Sequence, residues 1–210
     1  MTVACIIQAR IKSTRLPAKT MLALPTGRTV IQEVIYRCRR INGLDNIVVA
    51  IPDDKSCDFL YYHTRLCART IRGPEDDVLK RYAIAAKEVG ATQIMRITAD
   101  CPCLESTVAE QVLDLHLSGG YDYTANCWPR TYPQGYDCEV FSRELLVEAD
   151  KKATHQICRE HVTPYFNGSY EHEQMSNVKR GNLVQEVDES DIGLTLDTVD
   201  DYIRICEFLR

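Results

Sequence analysis

The chain contains no glycine before Gly27, and this absence limits the nucleotide-binding motifs that its N-terminal segment can form. A dinucleotide-binding fold requires G-x-G-x-x-G after its first strand, and a P-loop requires its own glycines around the phosphates. Neither pattern occurs after the first apolar run, which covers residues 3–8. Both common nucleotide motifs are therefore excluded at this position.

The cysteine spacing and the hydropathy of the chain exclude further kinds of protein. No two of the ten cysteines are spaced as C-x-x-C, which argues against structural zinc and against a redox pair. No apolar run approaches the ~20 residues of a membrane-spanning helix, and the N-terminal segment lacks the apolar core of a signal peptide. We therefore expect a cytoplasmic protein with reduced thiols and no membrane partner.

The chain also lacks an excess of basic residues, since its 25 Lys+Arg and 30 Asp+Glu give a net charge of −5. An acidic chain is a poor general binder of nucleic acid, so no such partner is expected. The charge is nevertheless unevenly distributed, because residues 1–40 hold eight basic side chains and one acid. This segment can attract a compact anion, while acidic positions elsewhere can hold a cation.

Strand and helix patterns alternate over the first 125 of the 210 residues, which are 45% apolar overall. We predict strands at 3–8, 46–51, 69–72, 92–98 and 121–125, with helices at 29–40, 57–67, 75–89 and 105–118. This alternation predicts an α/β fold with a mainly parallel sheet flanked by helices. No linker rich in Ser or Gly divides the chain, so residues 1–210 are interpreted as a single domain.

The pattern changes after residue 125, where an aromatic and Pro-rich stretch interrupts the alternation. Beyond it we predict strands at 138–141, 174–178 and 192–196, with helices at 143–152 and 199–209. These elements are interpreted as an antiparallel extension of the same sheet.

A cationic loop at residues 9–19 follows the first predicted strand, at the end of the sheet where open α/β folds bind ligands. It contains Arg10, Lys12, Arg15 and Lys19, with hydroxyls at Ser13 and Thr14. Guanidinium and ammonium groups suit phosphate oxygens, and backbone amides of an irregular loop can supplement them. The alternative interpretation is a solvated basic loop without a ligand.

Two aspartates, Asp100 and Asp197, each follow an apolar segment and precede a helical one. Strand-end carboxylates from distant parts of a chain can together hold Mg²⁺ against a phosphate. Alternatively, each aspartate only caps its helix.

The aromatic stretch at residues 128–140, with 159–165 as its companion, predicts a wall that selects a polar small molecule. Its charged members are Arg130, Asp137, Glu139, Glu160 and His161. His161 is a candidate general base. Each of these groups taken singly is also typical of a surface loop.

These segments together resemble the cytidylyltransferases, a family of nucleotidyltransferases, and within it the branch of proteins like spore coat polysaccharide biosynthesis protein F. That branch is related to the synthetases of CMP-linked Kdo and neuraminic acids. It typically begins IIQARMGSTRLPGK, where this chain has IIQARIKSTRLPAK, with Lys12 and Ala18 in place of glycines. Further matches, in family order, are RGPEDDVLKRY (72–82), RITADCP (96–102), PRTYPQGYDCEVFS (129–142), REHVTPY (159–165) and LDTVDD (196–201).

The resemblance implies a Rossmann-like fold of the glycosyltransferase-A type. It also implies Mg²⁺-dependent transfer of CMP from CTP to an acceptor such as a sugar acid, with release of pyrophosphate, for glycan biosynthesis. Residues 1–125 would form the nucleotide-binding half of the domain. Residues 126–210 would bind the acceptor and form a homodimer.

Site residues follow from the same resemblance. It implies catalytic roles for Arg10, Lys19 and Asp100, and a metal held by Asp100 and Asp197. The nucleotide would lie against Gln8, Ala9, Arg10, Ser13, Lys19, Arg72, Gly73, Glu75, Asp76, Asp77 and Asp100. The acceptor would lie against Arg130, Tyr132, Gln134, Asp137, Glu139, Glu160 and His161.

Two alternatives to this function remain open at the level of sequence. One is a catalytically inactive, nucleotide-binding relative of the family. The other is a glycosyltransferase that consumes a nucleotide sugar, although the D-x-D metal motif of such enzymes is absent near Asp100, where the sequence is ADCP.

Overall fold

Seven strands form one mixed sheet in the computed structural model, which describes all 210 residues. The strands are β1 (Val3–Gln8), β2 (Asn46–Pro52), β3 (Arg69–Gly73), β4 (Gln93–Thr98), β5 (Tyr123–Ala125), β6 (Glu139–Ser142) and β7 (Arg180–Asn182). Their order is β3-β2-β1-β4-β6-β5-β7. The first four are parallel, and β6 runs antiparallel to both β4 and β5. The predicted α/β fold, mainly parallel with an antiparallel extension, is confirmed.

Eight α-helices cover the sheet or follow its last strands. They are α1 (Val30–Cys38), α2 (Asp58–Thr64), α3 (Val78–Glu88), α4 (Ser106–Gly119), α5 (Arg143–Lys152), α6 (Gln156–His161), α7 (Pro164–Asn167) and α8 (Val199–Phe208). Helix α1 begins at a capping box in which the Thr29 hydroxyl and the Gln32 side chain each accept a backbone N–H of the other residue. None of the eight helices combines the length and the apolar character needed to cross a lipid bilayer.

Strand β1 is buried on both faces, which explains its continuous apolar sequence. Ala4 and Ile6 pack into the core beneath α3 and α5, whereas Cys5 and Ile7 pack into the core beneath α1 and α4. Side chains alternate between the two faces because successive residues of a strand point in opposite directions. The carboxyl end of β1 is thereby held in the middle of the sheet.

Two predicted strands are wrong. Residues 174–178 form no strand: Asn177 has a left-handed backbone with a φ of 60°, which an extended strand does not allow, and the strand of this region is β7 instead. Residues 192–196 are extended but make only an isolated bridge, between Gly193 and Gln134. They hydrogen-bond to loops, since the Leu194 amide donates to the Gln134 carbonyl and the Leu196 amide donates to the Asp100 carbonyl.

Candidate active site

A cavity of about 340 Å³ opens at the carboxyl ends of β1 and β4. It brings together ten of the residues predicted from sequence, from both halves of the chain: Gln8, Ala9, Arg10, Ser13, Lys19, Asp100, Asp137, Glu160, His161 and Asp197. Its other lining residues include Thr14, Arg15, Thr20, Val78, Arg81, Arg96, Thr98, Ala99, Cys101 and Thr195. The position agrees with the rule that open α/β sheets bind ligands beyond their strand ends.

The cationic loop reaches this cavity because it folds back on itself after β1. The Ala18 amide donates to the Ile11 carbonyl over 3.0 Å, and Ala18 has a left-handed backbone with a φ of 55°. A short 3₁₀ turn, Lys19–Met21, follows directly. The left-handed conformation suits glycine best. This agrees with the glycine that typically occupies this position in proteins like spore coat polysaccharide biosynthesis protein F.

Lys19 joins the two predicted carboxylates. Its Nζ lies 2.8 Å from Oδ2 of Asp100, 2.8 Å from Oδ1 of Asp197 and 2.7 Å from the Leu196 carbonyl oxygen. A guanidinium nitrogen of Arg15 also lies 2.9 Å from Oδ1 of Asp197. The cationic loop and both strand-end aspartates therefore meet at one point, where only about a quarter of each carboxylate side chain is exposed.

Electrostatics favours the charged forms of Lys19 and Asp100. Burial alone would raise the pKa of the Asp100 carboxyl, but the charge and the hydrogen bond of Lys19 outweigh burial and lower that pKa. Burial likewise opposes the charge of Lys19, and the two carboxylates outweigh it, so that the pKa of Lys19 is raised. Lys19 and Asp100 thus each favour the charged form of the other.

The donor set of this cluster fits a divalent cation that prefers oxygen ligands. Both carboxylates are close enough together to meet one shared cation, the Lys19 ammonium. No group of three or more His, Cys, Asp or Glu side chains gathers as a metal site anywhere in the chain. A divalent cation held here would therefore take two protein carboxylates and complete its coordination with water and substrate phosphates, as Mg²⁺ commonly does.

The predicted acceptor residues divide into two groups. Asp137, Glu160 and His161 line the cavity. Arg130 does not line it but forms a bidentate ion pair with Asp137. Tyr132 is buried, and the Gln134 side chain donates to the Ser190 carbonyl over 3.4 Å.

Glu139 is buried, does not line the cavity and is engaged by protein side chains. It forms an ion pair with Arg96, and its Oε1 accepts a hydrogen bond of 2.6 Å from the Tyr123 hydroxyl. Arg96 in turn donates to the Gln8 side chain. Burial opposes the charge of Arg96, but Glu139 outweighs burial and raises the Arg96 pKa. Arg96 lines the cavity but was not among the site residues predicted from sequence, although an arginine between apolar residues of a strand was a usable signal.

None of the predicted nucleotide contacts between residues 72 and 77 lines the cavity. Arg72 pairs with Asp58 at 2.7 Å, and Glu75 pairs with Lys12 at 2.9 Å. Asp77 caps α3 and pairs with Arg159. The Asp76 carbonyl accepts from the Gln156 side chain, and Gly73 packs against Arg81.

Cationic and carboxylate groups meet at the strand ends of an α/β sheet, an arrangement that suits an enzyme acting on phosphate groups. The sequence model of the cytidylyltransferase family matches residues 4–188. The chain therefore belongs to the cytidylyltransferase family and is a nucleotidyltransferase.

Relatives with similar sequences support this assignment. The chain is 30% identical over 206 residues to the spore coat polysaccharide biosynthesis protein SpsF of Bacillus subtilis, covering 95% of this chain and 83% of that protein. It is 31% identical to a cytidylyltransferase of known structure from Leptospira borgpetersenii, with a TM-score of 0.90 over 98% of this chain and 85% of the other.

More distant structures share the fold. One is CMP-2-keto-3-deoxy-manno-octonic acid synthetase complexed with CTP, with a TM-score of 0.70, 15% identity and coverage of 100% of this chain and 98% of the other. Another is a Mycobacterium tuberculosis protein complexed with manganese, with a TM-score of 0.66, 16% identity and coverage of 99% of both chains. The predicted nucleotidyltransferase fold is confirmed.

Proposed function

We propose that this enzyme transfers CMP from CTP to a small acceptor, releasing pyrophosphate. The observation that carries the proposal is the contact of Lys19 with both Asp100 and Asp197, inside a cavity that residues of the acceptor segments also line. A triphosphate needs cations along its length, and the cationic loop supplies them beside two carboxylates that suit a metal.

In the proposed reaction an acceptor oxygen attacks the α-phosphorus of CTP in line. The new P–O bond forms as the bond to the β-phosphate oxygen breaks, and pyrophosphate leaves with that oxygen. The proton of the acceptor hydroxyl passes to a base, for which His161 and Glu160 are the candidates that line the cavity. Such reactions depend mainly on positioning and on charge neutralisation, which we assign to Arg10 and Lys19.

Asp100 and Asp197 would hold Mg²⁺ in this scheme, and the ion would supply positive charge at the phosphates. The support is the donor set, in which two carboxylates share one cation at 2.8 Å. We propose that Lys19 leaves this position to contact phosphate when metal and nucleotide bind, since its ammonium and a metal would compete for the same oxygens.

For the acceptor we propose a sugar acid or a similar polyhydroxylated molecule, used in glycan assembly. Carboxylates such as Asp137 and Glu160 can accept hydrogen bonds from hydroxyl groups. The relationship to a polysaccharide biosynthesis protein supports the same class. We further propose a cytoplasmic homodimer whose residues 126–210 contribute both the acceptor contacts and the interface. The ten free cysteines suit a reducing compartment.

A pyrophosphate-release screen tests the reaction. It crosses the four nucleoside triphosphates with a panel of sugar acids and phosphorylated metabolites, with and without Mg²⁺. We expect release only with CTP, with Mg²⁺ and with a particular acceptor, and a product whose mass is that of the acceptor plus CMP less water. Binding of CTP without turnover across the panel would instead favour the inactive relative.

A further inference from the structure

Arg81 is a buried arginine whose donors find no acceptor within the protein. Its side chain is part of α3, and the residue is only 2% exposed. The Nε and Nη1 atoms are buried without a hydrogen-bond partner, and they are two of only three such side-chain atoms in the chain. Buried polar groups in native proteins are nearly always paired, so this exception requires an explanation.

The position of Arg81 leaves its side chain little room to turn toward solvent. It lies in the first turns of α3, where its amide donates to the Asp77 carbonyl over 3.1 Å. The end of β3 packs against it so closely that a Cβ on Gly73 would come within 3.2 Å of Arg81 atoms. A guanidinium does not lose its proton in proteins, so it remains a buried charge.

The cations that line the cavity fall into two sets. Arg15 and Lys19 contact Asp197, and Arg96 contacts Glu139. Arg10 and Arg81 form no ion pair within 4.0 Å, although both line the same cavity. Burial lowers the pKa of Arg81 and outweighs Tyr82, Cys57 and Glu75, which act to raise it, while the positive charge of Arg10 acts in the same direction as burial. The protein therefore places two arginines on one cavity, and neither has a carboxylate within 4.0 Å of its guanidinium nitrogens.

We propose that Arg81 and Arg10 form an anion-binding pair that holds a phosphate oxygen of the nucleotide, with Arg81 as its fixed member. This assignment rests on the proposed function, because the anion is a phosphate of the bound triphosphate. An oxyanion supplies several acceptors and a negative charge at once, which a buried guanidinium beside a second arginine requires. A neutral pyrimidine carbonyl would supply acceptors but would leave both charges uncompensated.

The experiment measures binding of inorganic tripolyphosphate, without metal or acceptor, by calorimetry at constant ionic strength. Cytidine serves as a second ligand that carries the base and ribose without phosphate. The variants are Arg81→Met and Arg81→Lys. Arg81→Lys retains the positive charge but loses the several N–H donors of the planar guanidinium. Arg37→Met is the matched control, because Arg37 is a partly buried arginine that Glu33 already pairs and that lies outside the cavity lining.

We expect Arg81→Met to bind tripolyphosphate at least tenfold more weakly than the wild type, with Arg81→Lys intermediate. Arg81→Met should also melt at a higher temperature than the wild type in the absence of ligand, because an unpaired buried charge has been removed. Arg37→Met should melt at a lower temperature and bind tripolyphosphate as the wild type does. If Arg81→Met fails to fold, a tenfold loss of affinity in Arg81→Lys supports the assignment.

Three results would overturn the assignment: no binding of tripolyphosphate by the wild type, unchanged affinity in the Arg81 variants, or weakened binding of cytidine alone. The last result would make Arg81 a contact of the base. Failure of the proposed function looks different. In that case the wild type releases no pyrophosphate from CTP. It still binds tripolyphosphate, and Arg81→Met still weakens that binding.

Discussion

The ammonium of Lys19 lies 2.8 Å from Oδ2 of Asp100, although 81 residues separate them along the chain. The contact is stabilising for both groups, since it raises the pKa of Lys19 and lowers that of Asp100 against the effect of burial. It also means that the carboxylate which we assign to the metal already has a cation beside it. A metal ion bound by Asp100 would therefore compete with an internal ion pair.

The first prediction concerns Asp100→Asn. The change removes a carboxylate charge while keeping the shape of the side chain, so the fold should be retained and Mg²⁺-dependent pyrophosphate release should be lost. By analogy with the removal of single electrostatic groups from active sites, we expect a fall of at least about 10²-fold in kcat. The measurement is pyrophosphate release at saturating CTP, with circular dichroism as the test of folding.

Asp114→Asn is the control for this experiment, because Asp114 is an exposed residue of α4 outside the cavity lining. It should turn over as the wild type does. Undiminished turnover by Asp100→Asn would contradict the assignment of this carboxylate.

The second prediction concerns stability in acid and the carboxylate of Glu173. Burial acts to raise the pKa of Glu173, but hydrogen bonds from Thr154 and from the amides of Thr154 and His155 outweigh it and lower the pKa to about 2. A lowered pKa stabilises the fold above the unfolded value of about 4.3, and this stabilisation is lost as the pH falls toward 2.

We therefore expect Glu173→Gln to lower the free energy of unfolding at pH 7 by about 1 kcal/mol, a value kept small because solvent screens this group. The variant should also lose less stability than the wild type between pH 4.5 and pH 2. Urea denaturation across this pH range measures both effects. If the free energy of unfolding falls equally with pH in the two proteins, the hydrogen bonds of Glu173 contribute nothing to the pH dependence of stability.

The third prediction concerns Gly135, which joins the predicted acceptor segment to the residues that precede Asp197. Gly135 has a φ of 103°, and a Cβ there would lie 2.6 Å from the carbonyl oxygen of Leu194. Gly135→Ala must therefore move backbone and should lower the free energy of unfolding by more than about 2 kcal/mol.

Gly27→Ala is the matched control, because Gly27 also has a positive φ, 79°, but no atom within 4 Å of the added Cβ. Gly27→Ala should lower the free energy of unfolding by only about 1 kcal/mol, the cost of placing a side chain on a left-handed backbone. Equal losses in the two variants would show that the contact with Leu194 is unimportant.

Sequence alone predicted the parts of the fold that depend on local pattern. The continuous apolar run of β1 predicted its ends at residues 3 and 8, because a strand buried on both faces contains no polar interruption. The pattern failed at residues 192–196, which are apolar and extended but lie against loops. An apolar sequence indicates that an extended segment is buried, but it does not identify the strand or loop to which the segment is hydrogen-bonded.

The sequence predicted which residues belong to the candidate site better than it predicted the contacts between them. The cationic loop and both aspartates were identified, but the meeting of Lys19 and Asp197 spans 178 residues and depends on the order of strands in the sheet. Arg81 was missed because its helical position matches the core-facing pattern of α3. Its lack of hydrogen-bond partners depends on the tertiary structure and cannot be predicted from the spacing of residues in the sequence.

The last prediction concerns Glu139, which the resemblance assigned to the acceptor and which the structure pairs with Arg96 and Tyr123. If its role is to hold Arg96, Glu139→Gln leaves a buried guanidinium without its carboxylate and should cost about 3–5 kcal/mol of stability. Arg96→Met should cost a similar amount. Because both single changes break the same pair, the double variant Arg96→Met with Glu139→Gln should lose clearly less than the sum of the two. Denaturation of the four proteins measures this coupling. If Glu139 contacted the acceptor instead, Glu139→Gln would raise the KM for the acceptor and leave the free energy of unfolding unchanged, and the two substitutions would be additive.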